Sequence, residues 1–210
     1  HETDLDSLSL CLINLDQNCF DRIISINTEQ NGFNWVLENL IFPLFEKINA
    51  MYLTGTIKPV HESFFNYLLK GKIMAQIDKL RSAQSAFDPE YLIFQPSGSA
   101  EELGSMLLNY NLIDSGKSTL NLGINIDTSD IIEAYHLHPV KSIIGLFNAD
   151  VSKEEIQRYI DQVHEYAPEA QLILSGFDVF RAGITSQGHV IVLSDLNAIM
   201  GFIKEQHTIS

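Results

Sequence analysis

Seven histidines, 27 carboxylates, two cysteines and a set of glycines are the chain's means of doing chemistry, and their spacing narrows what that chemistry can be. Glu101 and Glu102 follow Ser97-Gly98-Ser99 where an apolar periodic segment begins. Two carboxylates there suit the exposed amides and dipole of a helix start, with Ser99 as the expected cap. The same glycine-bearing turn could cradle an anion, but it lacks both Gly-x-Gly-x-x-Gly and the Walker lysine. His136 and His138 form a His-x-His pair with no third ligand near in sequence, so a solvent-facing pair is expected rather than a metal site. His61-Glu62 has Phe65 where a metalloprotease helix would carry its second histidine. Ser97, Ser175 and Ser186 lie in no Gly-x-Ser-x-Gly elbow and have no evident histidine partner. No enzymatic activity is expected.

These residues need elements to position them. From Ser7 to about Ala83 apolar residues recur at helical spacing, with Leu8, Leu12, Leu15, Cys19 and Ile23 in one stretch and Trp35, Leu40, Leu44, Ile48 and Met51 in the next. Asn31-Gly32 and Thr54-Gly55 end segments, Pro59 suits the first turn of another helix, and Pro43 should kink or split the second, giving about four helices. Beyond a polar bridge the pattern changes to strands at Tyr91–Gln95, Thr119–Leu122, Ser142–Phe147, Gln171–Ser175 and His189–Leu193. Helices are expected at Glu101–Tyr110, Ser129–Tyr135, Lys153–Tyr166, Val179–Thr185 and from Asp195 to Glu205. The predicted fold is a helical bundle over 1–83, a linker over 84–90, and a five-stranded, parallel, doubly wound domain of flavodoxin-like type over 91–210. In such sheets ligands sit at the C-terminal ends of the strands.

Composition limits the partners. A net charge of −14, with 13 Lys and Arg against 27 acids, leaves no basic surface for phosphates, so this chain is not expected to bind nucleic acid by itself. No run of 18 apolar residues suggests a membrane span, and no signal peptide is evident. Cys11 and Cys19, read as lying on one helix, are too far apart for a disulfide, so reduced thiols and a cytoplasmic location are expected. The opening His1-Glu2-Thr3, without a methionine, suggests that a further segment precedes it.

The order of parts resembles the cobalamin-binding modules of methionine synthase, of corrinoid methyltransferase proteins and of the light-sensing, CarH-like MerR-type regulators. In that family the loop after the first strand carries Asp-x-His-x-x-Gly, the third strand ends in Ser-x-Leu and the fourth in Gly-Gly. Here the segments read Ser99-Ala100-Glu101-Glu102-Leu103-Gly104, Leu146-Phe147-Asn148-Ala149 and Leu174-Ser175-Gly176. Leu120-Asn121-Leu122-Gly123, followed by Asp127 to Ile132, is similar to the family's second strand, its Leu-Gly turn and the next helix.

The resemblance implies pocket positions at Glu101, Gly104, Gly123, Phe147, Ser175 and Gly176. It also implies that the cobalt-ligating histidine is replaced by Glu101, and a carboxylate is a poor substitute for imidazole on cobalt. Phe147 would stand where a serine faces the nucleotide tail, and Ser175 where a glycine lets that tail approach. In the bundle, the regulators' Trp and Glu-His pair correspond to Tyr52, Glu62 and Ser63. Within the aromatic cluster Phe42, Phe45, Tyr52, Phe64, Phe65 and Tyr67, most members are expected in the core, with Tyr52, Glu62 and Phe147 as walls of any small-molecule cavity. The implied role is the effector-sensing, self-associating part of a MerR-type regulator that reaches operator DNA through a helix-turn-helix segment outside this chain. It would work without cobalamin. A corrinoid carrier or accessory protein of a methyltransferase system, and a regulator binding cobalamin with its own base retained, are the alternatives.

Overall fold

A computed structural model of the protein describes residues 2–83 and 86–208. The chain divides into two compact units, residues 1–76 and 77–210. Of the expected linker over 84–90, residues 84 and 85 lie outside the described ones.

The first unit opens with α1 (Glu2–Ile13) and α2 (Gln17–Asn31), where the sequence suggested one continuous stretch. The break falls at Leu15, whose φ of 51° is left-handed, and at Asp16, whose Oδ1 accepts from the Cys19 backbone N–H at 2.9 Å and starts α2. This turn corrects the expectation of reduced thiols. Eight residues along one helix would separate Cys11 and Cys19 by about 12 Å. Across the turn their Cα atoms are 5.6 Å apart and the two form a disulfide. Cys19→Ser is expected to lower stability by about 2–3 kcal/mol through the loop-closure entropy the cross-link removes, measured by denaturation with and without reductant; equal stability in both conditions would count against the pairing.

After Gly32 come α3 (Phe33–Val36), a π-helical turn at Leu37–Ile41, and α4 (Phe42–Leu53) with Pro43 in its first turn. Pro43 has no N–H for the helical ladder, and the ladder widens just before it. The boundary residues Val36, Leu37, Ile41 and Phe42 all keep helical backbone angles, so the proline is accommodated by this wider turn rather than splitting the segment. The last helix of the unit, α5 (Pro59–Arg81), begins on Pro59 and continues into the second unit. Leu8, Leu12, Phe20, Ile24, Leu40, Leu44 and Leu69 are buried, and the Phe65 ring meets Phe20 and Phe45 edge-on at 6.2 and 4.8 Å. Of the six aromatic residues expected mostly in the core, Phe65 alone is fully buried, while Phe42, Tyr52 and Tyr67 are exposed.

The second unit is the expected doubly wound domain. Strands β1 (Tyr91–Pro96), β2 (Thr119–Ile126), β3 (Ser142–Leu146), β4 (Gln171–Ser175) and β5 (Val190–Val192) form one parallel sheet in the order β2-β1-β3-β4-β5. The intervening helices are α6 (Leu103–Asp114), α7 (Thr128–Leu137), α8 (Lys153–Tyr166), α9 (Phe177–Arg181) and α10 (Leu196–Thr208). Burial on both faces follows the alternation of side chains along a strand. Leu92, Phe94, Ile143 and Phe147 pack with Ile131 of α7 and with Ile156, Tyr159 and Val163 of α8. Tyr91, Ile93, Ile144 and Leu146 pack with Leu108 and Leu112 of α6 and with Ile199 and Ile203 of α10. The switch between β1 and β3 opens the C-terminal rim.

At the opposite end of β5, the His189 and His164 rings stack with centroids 4.7 Å apart. Burial, and then His164, push the His189 pKa down from 6.5. A lowered native value means that above the unfolded pKa both states are neutral, while below it the unfolded chain binds a proton that the native one resists. Stability therefore falls as pH drops through about 6.5. Denaturation midpoints should decrease between about pH 7.5 and about pH 5.5, and His189→Gln should flatten that slope; an unchanged slope would refute the assignment.

Candidate ligand cavity at the sheet rim

The loop after β1 is held from three sides. The Gly98 N–H donates to Asn125 Oδ1 at 3.0 Å, and the Ser97 N–H to the Tyr159 hydroxyl at 3.4 Å. The Tyr159 hydroxyl in turn donates to the Ile126 carbonyl at 2.7 Å. Burial pushes the Tyr159 phenol up, which keeps this donor protonated. Gln95, buried at the end of β1, donates from Nε2 to the Glu101 carbonyl at 2.8 Å.

This loop corrects one expectation and explains one residue. Ser99 does not cap α6, because its Oγ turns back and donates to the Pro96 carbonyl at 2.7 Å. Glu101 does the capping, with Oε1 accepting from the Leu103 N–H at 2.9 Å. Its carboxylate is thus directed at the helix start. Glu102 is the last residue before α6 and makes no side-chain cap.

A cavity of about 620 Å³ opens on the rim, lined by Gly104, Leu146, Asn148, Ser175 and Gly176, by Phe177 and Phe180 of α9, and by Val192 at the end of β5 and Leu193 to Leu196 beyond it. Gly104, Ser175 and Gly176, three of the expected pocket positions, come together here. Gly176 has a φ of +115°, and a Cβ on it would stand 2.2 Å from the Phe147 carbonyl oxygen, so the position admits glycine alone. Phe147 is not at this cavity. Its side chain points to the other face of the sheet, fully buried, edge-on to Phe94 and Tyr159 at 5.8 and 5.3 Å. Leu146 and Asn148 take its place on the cavity side, the exchange of faces that a one-residue difference in register produces.

The other expected residues lie elsewhere. Gly123, with a φ of +82°, sits at a bulge where β2 shifts register against β1, its N–H held by Asn121 Oδ1 at 3.0 Å. Tyr52 lies in the last turn of α4 and is half exposed, and Glu62 lies exposed in the first turn of α5; both belong to the helical unit. His138 packs edge-on to Phe87 at 5.2 Å. No group of three or more His, Cys, Asp or Glu that could hold a metal occurs among the described residues, and no described helix is long and apolar enough to cross a membrane.

Two features escaped the sequence reading. One is the aromatic pair Phe177 and Phe180 at the cavity, exposed by 64% and 84%. The other is Asp178 between them, buried to 1% and accepting the Ala149 and Val151 N–H groups on Oδ2 at 2.8 and 3.2 Å. An acidic residue three positions before Arg181 was the available signal for the second. Exposure of the phenylalanines leaves no mark in the sequence.

No protein-family model matches the chain, and no curated protein matches it. Among solved structures, the monomethylamine corrinoid protein of Methanosarcina barkeri matches with a TM-score of 0.74 at 11% identity, over 97% of this chain and 98% of that one. A cobalamin-binding protein of Desulfitobacterium hafniense and the methanol:cobalamin methyltransferase complex MtaBC of M. barkeri give TM-scores of 0.47 and 0.48 at 11% and 10% identity. The Desulfitobacterium match covers 96% of this chain and 97% of that one, the MtaBC match 97% and 79%. At such identities the likeness concerns the fold, and the chain shares the fold of a corrinoid protein: a helical N-terminal part followed by a five-stranded parallel α/β sheet.

Proposed function

We propose that the chain is a non-enzymatic binding module of corrinoid-protein type that takes its ligand in the rim cavity, without a cobalt bond from the protein. The observation that carries this reading is the open cavity lined by Gly104, Ser175 and Gly176, three positions that the resemblance assigns to the corrinoid pocket. Phe147, expected as one of its walls, faces away from it. The part of the site that would receive a nucleotide tail therefore fits such a group. The cobalt-ligating position does not fit, since Glu101 stands there and its carboxylate caps α6. Cobalamin bound with its own base retained requires no protein imidazole; in that form the tail stays folded beneath the corrin, so the cavity would take the folded base and tail together rather than an extended tail. A carrier or accessory role in a methyltransferase system agrees with the near-complete match to a corrinoid protein.

A second reading rests on Glu101 and on the resemblance of Tyr52 and Glu62 to the cap of the light-sensing regulators. In it the module is the effector-sensing and self-associating part of a MerR-type regulator, cytoplasmic, acting on operator DNA through a segment outside this chain.

The test is a dark titration with adenosylcobalamin, methylcobalamin and cobinamide, which lacks the nucleotide tail, followed by absorbance and by mass on a sizing column. The expected result is stoichiometric uptake of the cobalamins, with a spectrum unshifted by any protein ligand and no uptake of cobinamide. If no corrin co-elutes at large excess, the corrinoid reading fails and the cobalamin-independent regulator stands.

A further inference from the structure

We propose that the stacked pair His164 and His189 is an acid-sensitive latch on the edge strand β5, and that a proton taken up by His189 frees this strand and the Val192–Leu196 wall of the rim cavity at its far end. The pair borders a second cavity, of about 550 Å³, between α8 and the turn before β5. The inference shares with the proposed function the rim as a binding site, but it requires no particular ligand.

His164 is exposed on α8 and covers the partly buried His189 ring, with the two planes 24° apart. His189 Nε2 is buried and has no hydrogen-bond partner among the described residues. A neutral imidazole tolerates this with Nε2 as its bare nitrogen. An imidazolium donates from both nitrogens, so its Nε2–H would face no acceptor and its charge would stand against the His164 ring. Burial and His164 both oppose that charge. Lys153 and Asp161, both on α8, are the other charged residues described at this cavity. Neither relieves it, because Lys153 has the same sign and Asp161 already accepts from Gln157 Nε2 at 2.8 Å. Neither β4 nor the turn Gly183–Gly188 carries an ionisable residue.

The backbone around His189 ties the ring to the strand. Gly188, with φ at +61°, and His189 form a tight turn closed by reciprocal bonds between Gln187 and Val190 at 3.0 Å. The His189 carbonyl accepts from the Leu172 N–H at 2.9 Å, the first rung between β5 and β4. Ser186 of the same turn accepts the Val192 N–H on Oγ at 2.8 Å, and Val192 begins the rim wall. A three-residue strand at the sheet edge has few rungs to lose, so moving His189 loosens both the first rung and the wall. The latched state has the lowered pKa and the released state the ordinary one of 6.5, so release is favoured as pH falls through that value. One proton sets the ceiling: from about pH 7.5 to about pH 5.5 the released fraction rises by no more than about tenfold.

Amide hydrogen exchange of the full chain, corrected for the intrinsic effect of pH, reads the latch without any ligand. Leu172, Val192 and Leu193 should lose protection about three- to tenfold between about pH 7.5 and about pH 5.5, while Ile93 of β1 and Ile144 of β3 keep theirs. His189→Phe, which keeps a flat ring and cannot titrate, should make that protection independent of pH. His164→Ala uncovers His189 and should raise its pKa, titrated by NMR, toward about 6.5. The same loss of protection in His189→Phe, or an equal loss across the whole sheet, would overturn the proposal. Release of bound methylcobalamin should quicken by the same factor in the parent and not in His189→Phe, because an opened wall speeds exit. Protection that responds to pH in a chain taking up no corrin retains the latch and loses the corrinoid reading. Corrin uptake beside pH-independent protection does the reverse.

Discussion

Gly176→Ala is expected to destabilise the chain by about 3 kcal/mol or more, toward the upper end for a single methyl group. Two effects add. The backbone at Gly176 holds φ at +115°, a region costly for any residue with a Cβ. The new carbon would stand 2.2 Å from the Phe147 carbonyl oxygen and within 2.8 Å of its backbone nitrogen. These are main-chain atoms that cannot rotate away. Phe147 cannot shift either without loss, because its N–H donates to the Ser175 carbonyl at 2.8 Å and its carbonyl accepts from the Asp178 N–H at 3.1 Å. Gly183→Ala is the internal control, with φ at +67° and open space around the added carbon. It carries the conformational penalty without the collision and should cost only about 1 kcal/mol. Urea denaturation of the two variants separates the terms; similar values for both would show that the close approach to Phe147 has no energetic weight. Binding at the rim should be lost in Gly176→Ala alone, because only there must α9 move.

How far the sequence discloses this molecule depends on which physical signal each part carries. The helix Lys153–Tyr166 matches its expected bounds because Ser152 and Glu155 form a reciprocal capping box at its start and Pro168 lies just past its end. The strand Gln171–Ser175 likewise agrees with expectation. The break between α1 and α2 was hidden, since no glycine or proline marks Asn14-Leu15-Asp16 and the apolar period runs through both helices. The disulfide was missed with it. At the rim, motif spacing singled out Gly104 and Gly176, and at Gly176 the close approach of the Phe147 backbone excludes any side chain, whereas a Cβ on Gly104 would make only an ordinary contact with Leu146. The facing of Phe147 was not legible. In a strand buried on both sides, Ile143 and Phe147 on one face and Ile144 and Leu146 on the other are equally apolar, so alternation gives no sign of which side is which. Phe147 was therefore expected on the wall of a cavity that Leu146 and Asn148 line instead.

Asp178→Ala should lower stability by about 3–5 kcal/mol, chiefly because two buried backbone donors lose their acceptor. The carboxylate is exposed by only 1% and does three things at once. Oδ2 accepts the Ala149 and Val151 N–H groups at 2.8 and 3.2 Å, and Oδ1 accepts from Arg181 at 3.3 Å. Truncation leaves two backbone donors without their acceptor, each worth about 1–3 kcal/mol when buried. Arg181 is better provided for, since it is partly exposed and keeps Asp150 and the Val151 carbonyl as partners. Arg181→Ala should therefore be the mildest of these changes, because exposed ion pairs contribute little. Asp178→Asn separates the two roles: its one carbonyl oxygen can still accept both N–H groups, but its amide then faces the guanidinium, so roughly half the loss should return. The ordering Ala, then Asn, then Arg181→Ala, from most to least destabilised, follows from the backbone bonds dominating. If Arg181→Ala proved as damaging as Asp178→Ala, the ion pair rather than the backbone would be what holds α9. The consequence reaches the cavity, because Ala149 and Val151 continue the segment that presents Asn148. Loosening that segment should weaken whatever the rim binds, even though Asp178 does not line the cavity.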